Sequence, residues 1–168
     1  MKKAIFTLTL MASFGSSASG LHLSPELKFG PYVGSGNLGA GLQVGIIDVL
    51  GLDALYVSYS HTSAKVLTDK DRLKTYRIGA QYHLTQAPMI GFQVEIGGVK
   101  YEGSRHYIFS PKEYRDGSGV SAAGAWVLQV NDSLGFRAGI DISFVDKKDT
   151  YLNSDFSTTF NTGVTLRF

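Results

Sequence analysis

His61 and Ser63 stand two apart in the stretch Val57-Ser58-Tyr59-Ser60-His61-Thr62-Ser63. An imidazole beside a hydroxyl is the smallest unit for attack on an acyl carbonyl, with the histidine taking the hydroxyl proton. In an extended strand a spacing of two puts both side chains on one face. A carboxylate to orient the imidazole would have to come from elsewhere, and Asp69 and Asp71 are the candidates. His22, His83 and His106 show no metal-ligand spacing, cysteine is absent, and no phosphate-binding glycine motif occurs. No metal and no cofactor is therefore expected.

Positioning such a pair is a matter of strands, because the chain repeats an alternation of polar and apolar residues in eight segments. Each is about the 9 to 11 residues that a tilted strand needs to cross a bilayer. The first runs over 26–34 with Leu27, Phe29, Pro31 and Val33 on one face. Leu38, Ala40, Leu42, Val44 and Ile46 follow, then Leu55, Val57 and Tyr59, then Tyr76, Ile78, Ala80, Tyr82 and Leu84. The fifth segment carries Ile90, Phe92, Val94 and Ile96. Gly97-Gly98 then predicts a bulge and a change of phase that would turn Val99 and Tyr101 outward. The sixth lies around 120–130, the seventh holds Leu134, Phe136, Ala138, Ile140, Ile142 and Phe144, and the eighth runs from Phe156 to Phe168.

Alternation alone does not say which face is inside. The polar face is rich in glycine (Gly30, Gly39, Gly41, Gly45, Gly79, Gly91, Gly135, Gly139, Gly163) with a few long groups among them, such as Gln93. Glycine weakens an exposed strand, whereas the narrow interior of an eight-stranded barrel requires small residues beside large ones. The reading is therefore all-β, an eight-stranded antiparallel up-and-down transmembrane barrel, with its polar face inward and its apolar face to lipid. Aromatic girdles are expected from Tyr59, Tyr101, Phe144 and Phe156 at one rim and Tyr82, Trp126, Phe136 and Phe168 at the other. Short links at 48–53, 85–88 and 131–133 belong on the periplasmic side; 34–37, 61–72, 102–117 and 145–154 are the expected extracellular loops.

The inward face also carries charge of both signs: Glu26, Glu95 and Asp141 against Lys28, Arg77, Arg137 and Arg167. Buried charges must pair. Counting back from the 85–88 turn brings Arg77 and Glu95 almost opposite each other, which predicts a cross-strand ion pair; Arg137 and Asp141 are further members of the interior ion pairs. Such pairs could gate a pore or simply neutralise a filled lumen; eight strands favour the filled lumen. The loops interleave Lys65, Lys70, Arg72, Arg105, Lys112, Arg115, Lys147 and Lys148 with acids and with Tyr107, Phe109, Tyr114 and Tyr151. Solvated loops show this mixture, and so would a surface that meets lipopolysaccharide phosphates.

Both ends have their own character. Lys2 and Lys3, an apolar run over 4–14 and the small-residue stretch 15–20 form the n, h and c regions of a secretory signal peptide, with cleavage near Ala18 or Gly20. Residues 21–168 are then the barrel domain, destined for the bacterial outer membrane. The 16 basic residues exceed the 14 acidic ones only by Lys2 and Lys3, so the rest of the chain is neutral and nucleic-acid binding gains no support.

At the other end Asn161, Gly163, Leu166 and Phe168 follow the order polar-x-Gly-x-x-apolar-x-aromatic. This resembles the carboxy-terminal signal of bacterial outer-membrane barrels, which implies delivery to the barrel-assembly machinery. With the eight-segment pattern, the chain resembles the small OmpA/OmpX-type outer-membrane proteins. That resemblance implies an integral barrel with a structural, adhesive or surface-interaction role through its loops. The segment around His61 and Ser63 resembles the His-x-Ser segment of outer-membrane lipid A deacylases. That family has Asn where this chain has Ala64, a Glu opening a strand that here begins Leu73-Lys74-Thr75-Tyr76, and the motif before its last strand rather than its fourth. Two alternatives to the surface role thus follow: an acyl hydrolase using His61 and Ser63, and a soluble exported barrel with a ligand in an apolar interior.

Overall fold

The computed structural model describes residues 20–32, 35–66, 69–106 and 111–168. Eight strands, β1 (Gly20–Tyr32), β2 (Ser35–Val49), β3 (Leu52–Val66), β4 (Asp69–Leu84), β5 (Ala87–Arg105), β6 (Glu113–Asn131), β7 (Leu134–Val145) and β8 (Phe156–Arg167), follow in sequence order. Every neighbour pairs antiparallel and β1 also pairs β8, so the sheet is a closed up-and-down barrel with no free edge. The expected signal peptide over 1–20 lies outside the described residues except for Gly20, which already pairs with Ile47. Pairing thus starts six residues before Glu26.

The period of two dictates what each face meets. Leu27, Ile78, Val94, Ile96, Trp126, Phe136 and Phe160 are exposed on the outside, while Glu26, Lys28, Arg77, Glu95, Arg137 and Asp141 are buried inside. So much apolar surface around a whole barrel suits a hydrocarbon solvent and not water. The lumen has polar walls and is filled, unlike the apolar chamber that a soluble ligand-binding barrel would need. Cross-strand aromatic pairs brace the exterior: Tyr59 with Tyr76 at 5.1 Å between ring centroids, Phe144 with Phe156 at 5.2 Å, and Phe92 with Trp126 at 3.8 Å.

Three hairpin turns lie wholly within the described residues, and they are tight. Leu50 and Gly51, with φ of 56° and 76°, form the β2–β3 turn, where two positive φ values match the twist of the strands. The β4–β5 and β6–β7 turns are centred on 85–86 and 132–133, at the same end as Gly20 and Phe168.

Two expectations are corrected. The β5 register runs through Gly97 and Gly98 without a break, Arg77 opposite Gly97 and Tyr76 opposite Gly98, so Val99 and Tyr101 stay inside, 2% and 1% exposed. Gly97 is required by close approach rather than by a bulge: a Cβ there would lie 2.0 Å from the Tyr76 carbonyl oxygen. The irregularities fall instead beside the turns, at His83/Leu84 and Gln129/Asn131. Second, 61–72 and 102–117 are mostly not loops. β3 continues to Val66, β4 starts at Asp69, β5 reaches Arg105 and β6 starts at Glu113, so a four-stranded wall stands beyond the apolar band. The link β7–β8 does contain a loop, with a short 3-10 turn at Lys147–Asp149.

Candidate functional site: an ionic lumen and a charged outcrop

Six alternating charges close a ring across the barrel. Arg77 Nε lies 3.1 Å from Glu95 and its Nη1 2.5 Å from Asp141. Asp141 accepts from Lys28 at 2.7 Å, and Lys28 lies 3.0 Å from Glu26. Glu26 accepts from Arg137 at 2.6 Å, and Arg137 returns to Glu95 at 3.6 Å. Three cations and three anions leave no net charge in a place where unpaired charge would be costly. Arg77 and Glu95 meet diagonally rather than directly, since Glu95 pairs with Gly79 and Arg77 with Gly97. Arg167 is not in this ring; it lies at the rim, 3.4 Å from Asp48.

Neutral donors complete the network. Gln43 and Ser58 donate to Glu95 at 2.5 and 2.7 Å, and Asn161 donates to Asp141 at 2.9 Å. Glycines make room for it: a Cβ on Gly41 would lie 2.3 Å from the Glu26 carboxylate, and one on Gly79 2.6 Å from the Tyr56 ring. Towards the tight turns the lumen is filled by Tyr56, stacked on His22 at 5.1 Å, and by Gln43, Gln81 and Gln93. At the opposite mouth Leu73, Val99, Tyr101 and Val145 form an apolar plug with Leu152 against it. Between the ring and the plug, a pocket lined by Lys28, Thr75, Arg77, Asp141 and Leu73 has about 10 Å³ open to water, room for about one molecule.

Above the plug a latch holds the β7–β8 link across the mouth. The Tyr101 hydroxyl donates to Asp71 and accepts from the Tyr151 amide at 3.1 Å. Arg105 grips both Asp71 oxygens, at 3.1 and 2.8 Å. Arg105 and Arg115 lie 4.5 and 4.6 Å from the Tyr151 ring centroid, and Arg115 donates to the Thr150 carbonyl at 2.7 Å. Burial, and then the bond to Asp71, push the Tyr101 phenol up, so it remains a donor.

His61 and Ser63 project from the outside of β3, just beyond Tyr59. Their partners across the strands are Ala40 and Leu38 on β2 and Lys74 and Arg72 on β4. Burial, reinforced by the charges of Arg72 and Lys74, holds the His61 imidazole below its ordinary value. The acid acting on it, Glu102, is taken by Lys74 at 2.5 Å and lies 3.7 Å from Arg72. Asp71 is inside the barrel mouth, bound to Tyr101 and Arg105, and Asp69 lies 3.6 Å from Arg105. The geometry gives the His61 ring cationic neighbours where a hydrolase needs an orienting carboxylate. Ser63→Ala is expected to leave the acyl pattern of lipid A unchanged in overexpressing cells. Loss of an acyl chain that depends on Ser63 would reinstate the hydrolase.

Closure of the barrel depends on the carboxy-terminal residues. Gly163 faces the β1 backbone so closely that a Cβ would lie 2.3 Å from the Pro25 carbonyl oxygen. Leu166 pairs with both Leu23 and Leu134, and Phe168 exchanges backbone bonds with Leu21 at 2.9 and 3.0 Å.

No family model matches the sequence, and no curated relative does either. Similarity lies in solved structures. Ail, the attachment invasion locus protein of Yersinia pestis, superposes with a TM-score of 0.67 at 11% identity, over 89% of this chain and 97% of that one. The fold is that of the small eight-stranded outer-membrane barrels. The N-terminal barrel of Pseudomonas aeruginosa OprF gives 0.59 at 12% identity, covering 90% and 98%. Neisserial surface protein A gives 0.60 at 12% identity, covering 89% and 96%. Ail is also solved with the heparin analogue sucrose octasulfate. At such identities the shared barrel is the finding. In this chain the larger groups of charges among the described residues are the buried ring in the lumen and the outward-facing wall. The ring members are spread from β1 to β7, so only barrel closure brings them together. The latch was invisible to pattern reading, because the irregularity at His83/Leu84 shifts the register, so that Leu73 pairs with Tyr101 and Asp71 with Gly103 where a count from the 85–86 turn would not place them.

Proposed function

We propose that this chain is an integral outer-membrane barrel that works at the cell surface, by attachment through its strand outcrop, and not as a pore. The observation that carries this reading is the wall itself. β3 to β6 extend past the aromatic pair Tyr59–Tyr76 as hydrogen-bonded strands, and the Tyr101–Asp71–Arg105 latch stiffens them. A preorganised surface loses little freedom on binding. The described lumen is filled by the ion ring and the apolar plug, which favours that wall as the working part, and the attachment role in the name of Ail supports the same direction. Lipopolysaccharide is the natural surrounding of such a wall, and the barrel-assembly machinery its partner during biogenesis.

The test replaces 64–71 and 104–114 by two-residue Asn-Gly turns, which join the cross-strand partners Ser63 with Arg72 and Gly103 with Arg115. The trimmed barrel is expected to remain in the outer membrane with heat-modifiable gel mobility, while attachment of expressing cells to immobilised sulfated glycan falls about tenfold or more. Equal attachment by trimmed and intact barrels would remove the adhesive role. Recovery of the intact chain as a soluble periplasmic protein would remove the membrane reading altogether.

A further inference from the structure

The outer surface of β3–β6 combines two features that belong to one kind of ligand. The first is a like-charge pair. Lys74 on β4 and Lys100 on β5 are directly opposite each other, in a row with His61 on β3 and Ser118 on β6. Like charges directly opposed across strands repel, and a bridging anion turns that repulsion into attraction. Lys65 and Lys70 repeat the arrangement two rows further out. Glu102 takes Lys74 from the row between and leaves Lys100 exposed.

The second feature begins one row below this pair. There the outward residues on β5 and β6 are Gly98 and Val120, next Ile96 and Ala122, next Val94 and Gly124, and finally the Phe92–Trp126 pair. Ala122 and Gly124 sink the surface between Val94 and Ile140, and the depression is a groove of about 510 Å³. A Cβ on Gly124 would touch nothing within 4 Å, so the groove is open along its floor. Its walls are almost wholly apolar, and it starts two rows below the lysines, at Ala122, and reaches Trp126.

We propose that this face seats one phosphorylated, acylated glycolipid of the outer leaflet, its phosphate bridging Lys74 and Lys100 and one acyl chain lying over Gly124. The proposal rests on the outer-membrane reading, which fixes these strands at the headgroup level of the outer leaflet. The head must be anionic and the tail a hydrocarbon, because the lysines stand above the groove on the same outer face. A glycolipid with two phosphates and several chains meets this better than a phospholipid with one phosphate, since Lys65 and Lys70 offer a second anion position beyond the first.

Native mass spectrometry of the full chain, released from a mild detergent after titration with diphosphoryl lipid A or with phosphatidylglycerol, tests this. The wild type is expected to retain one lipid A and to bind it about tenfold more tightly than phosphatidylglycerol. Lys74→Gln with Lys100→Gln, and separately Gly124→Leu, should each weaken retention about tenfold. Lys147→Gln with Lys148→Gln, on the β7–β8 link, should not. Heat-modifiable mobility of each variant shows that it has folded, and Gly124→Leu adds its side chain to open space. Equal retention by all variants, equal retention of the two lipids, or loss with the lysine variant alone would overturn the joint site. A chain that does not insert into phospholipid vesicles would instead overturn the membrane reading. Insertion without retained lipid A would overturn this proposal only.

Discussion

Asp141→Ala is expected to destabilise the barrel by about 3–5 kcal/mol, the cost of leaving buried ionic partners uncompensated. Asp141 holds two cations at once, Lys28 at 2.7 Å and Arg77 at 2.5 Å, and also accepts from Asn161. Its removal leaves the lumen with three cations against two anions, and the space between ring and plug, about 10 Å³, has little room for rehydration. Lys28→Met combined with Asp141→Leu leaves Glu26, Arg137, Glu95 and Arg77 as a neutral chain. The double variant should therefore cost less than Asp141→Ala alone, although it changes more atoms. Urea unfolding in detergent, followed by Trp126 fluorescence and gel mobility, measures both. A loss below about 1 kcal/mol for Asp141→Ala, the range of a solvent-screened pair, would mean that water enters the lumen and the ring is not what neutralises it. None of these variants is expected to conduct in planar bilayers, because Tyr56 with its glutamines below the ring and the Leu73–Val145 plug above it remain in place.

The parts of this molecule legible in the sequence are those with a period. The eight strands, the tight turns and the inward direction of glycines and charges all follow from residues repeating every two positions, and from the room that a narrow barrel leaves. Pairing between strands distant in sequence does not repeat. Lys28 and Asp141 are 113 residues apart, and only closure of β1 on β8 brings them together. Counting from one turn therefore placed Arg77 near Glu95 yet said nothing about Asp141 joining Arg77 to Lys28. The outcrop escaped for a different reason. Beyond Tyr59 and Tyr76 the outer face meets water, so Lys65, Lys70, Arg72 and Lys74 replace the apolar half of the alternation, and a strand without a greasy face reads as a loop. Tyr101 was misdirected by its type: an aromatic near a strand end suggests a girdle, but the unbroken β5 register turns it into the mouth.

That buried tyrosine sets the other large effect. Tyr101→Ala should cost about 3–5 kcal/mol, as other buried aromatic truncations do, and should act on the mouth rather than on the ring. The ring of Tyr101 packs with Leu73, Val99 and Val145, and its hydroxyl ties Asp71 to the Tyr151 amide. Truncation opens a cavity under Leu152 and removes one acceptor from Tyr151, leaving the middle of the link held by the Arg115 bond to the Thr150 carbonyl and by Arg105 and Arg115 against the Tyr151 ring. Each such contact is worth about 0.5–1 kcal/mol at an exposed site, too little to keep the link closed. Trypsin should then cut after Lys147 or Lys148 in barrels whose Trp126 fluorescence and heat-modifiable mobility remain native. Tyr101→Phe keeps the packing and loses only the hydroxyl, so its cost should be about 1–3 kcal/mol and cleavage should stay slow. If Tyr101→Ala resisted trypsin as well as the wild type, the link would be held by its own 3-10 turn, in which Asp146 caps the Lys148 amide, and the latch would have no role in closing the mouth.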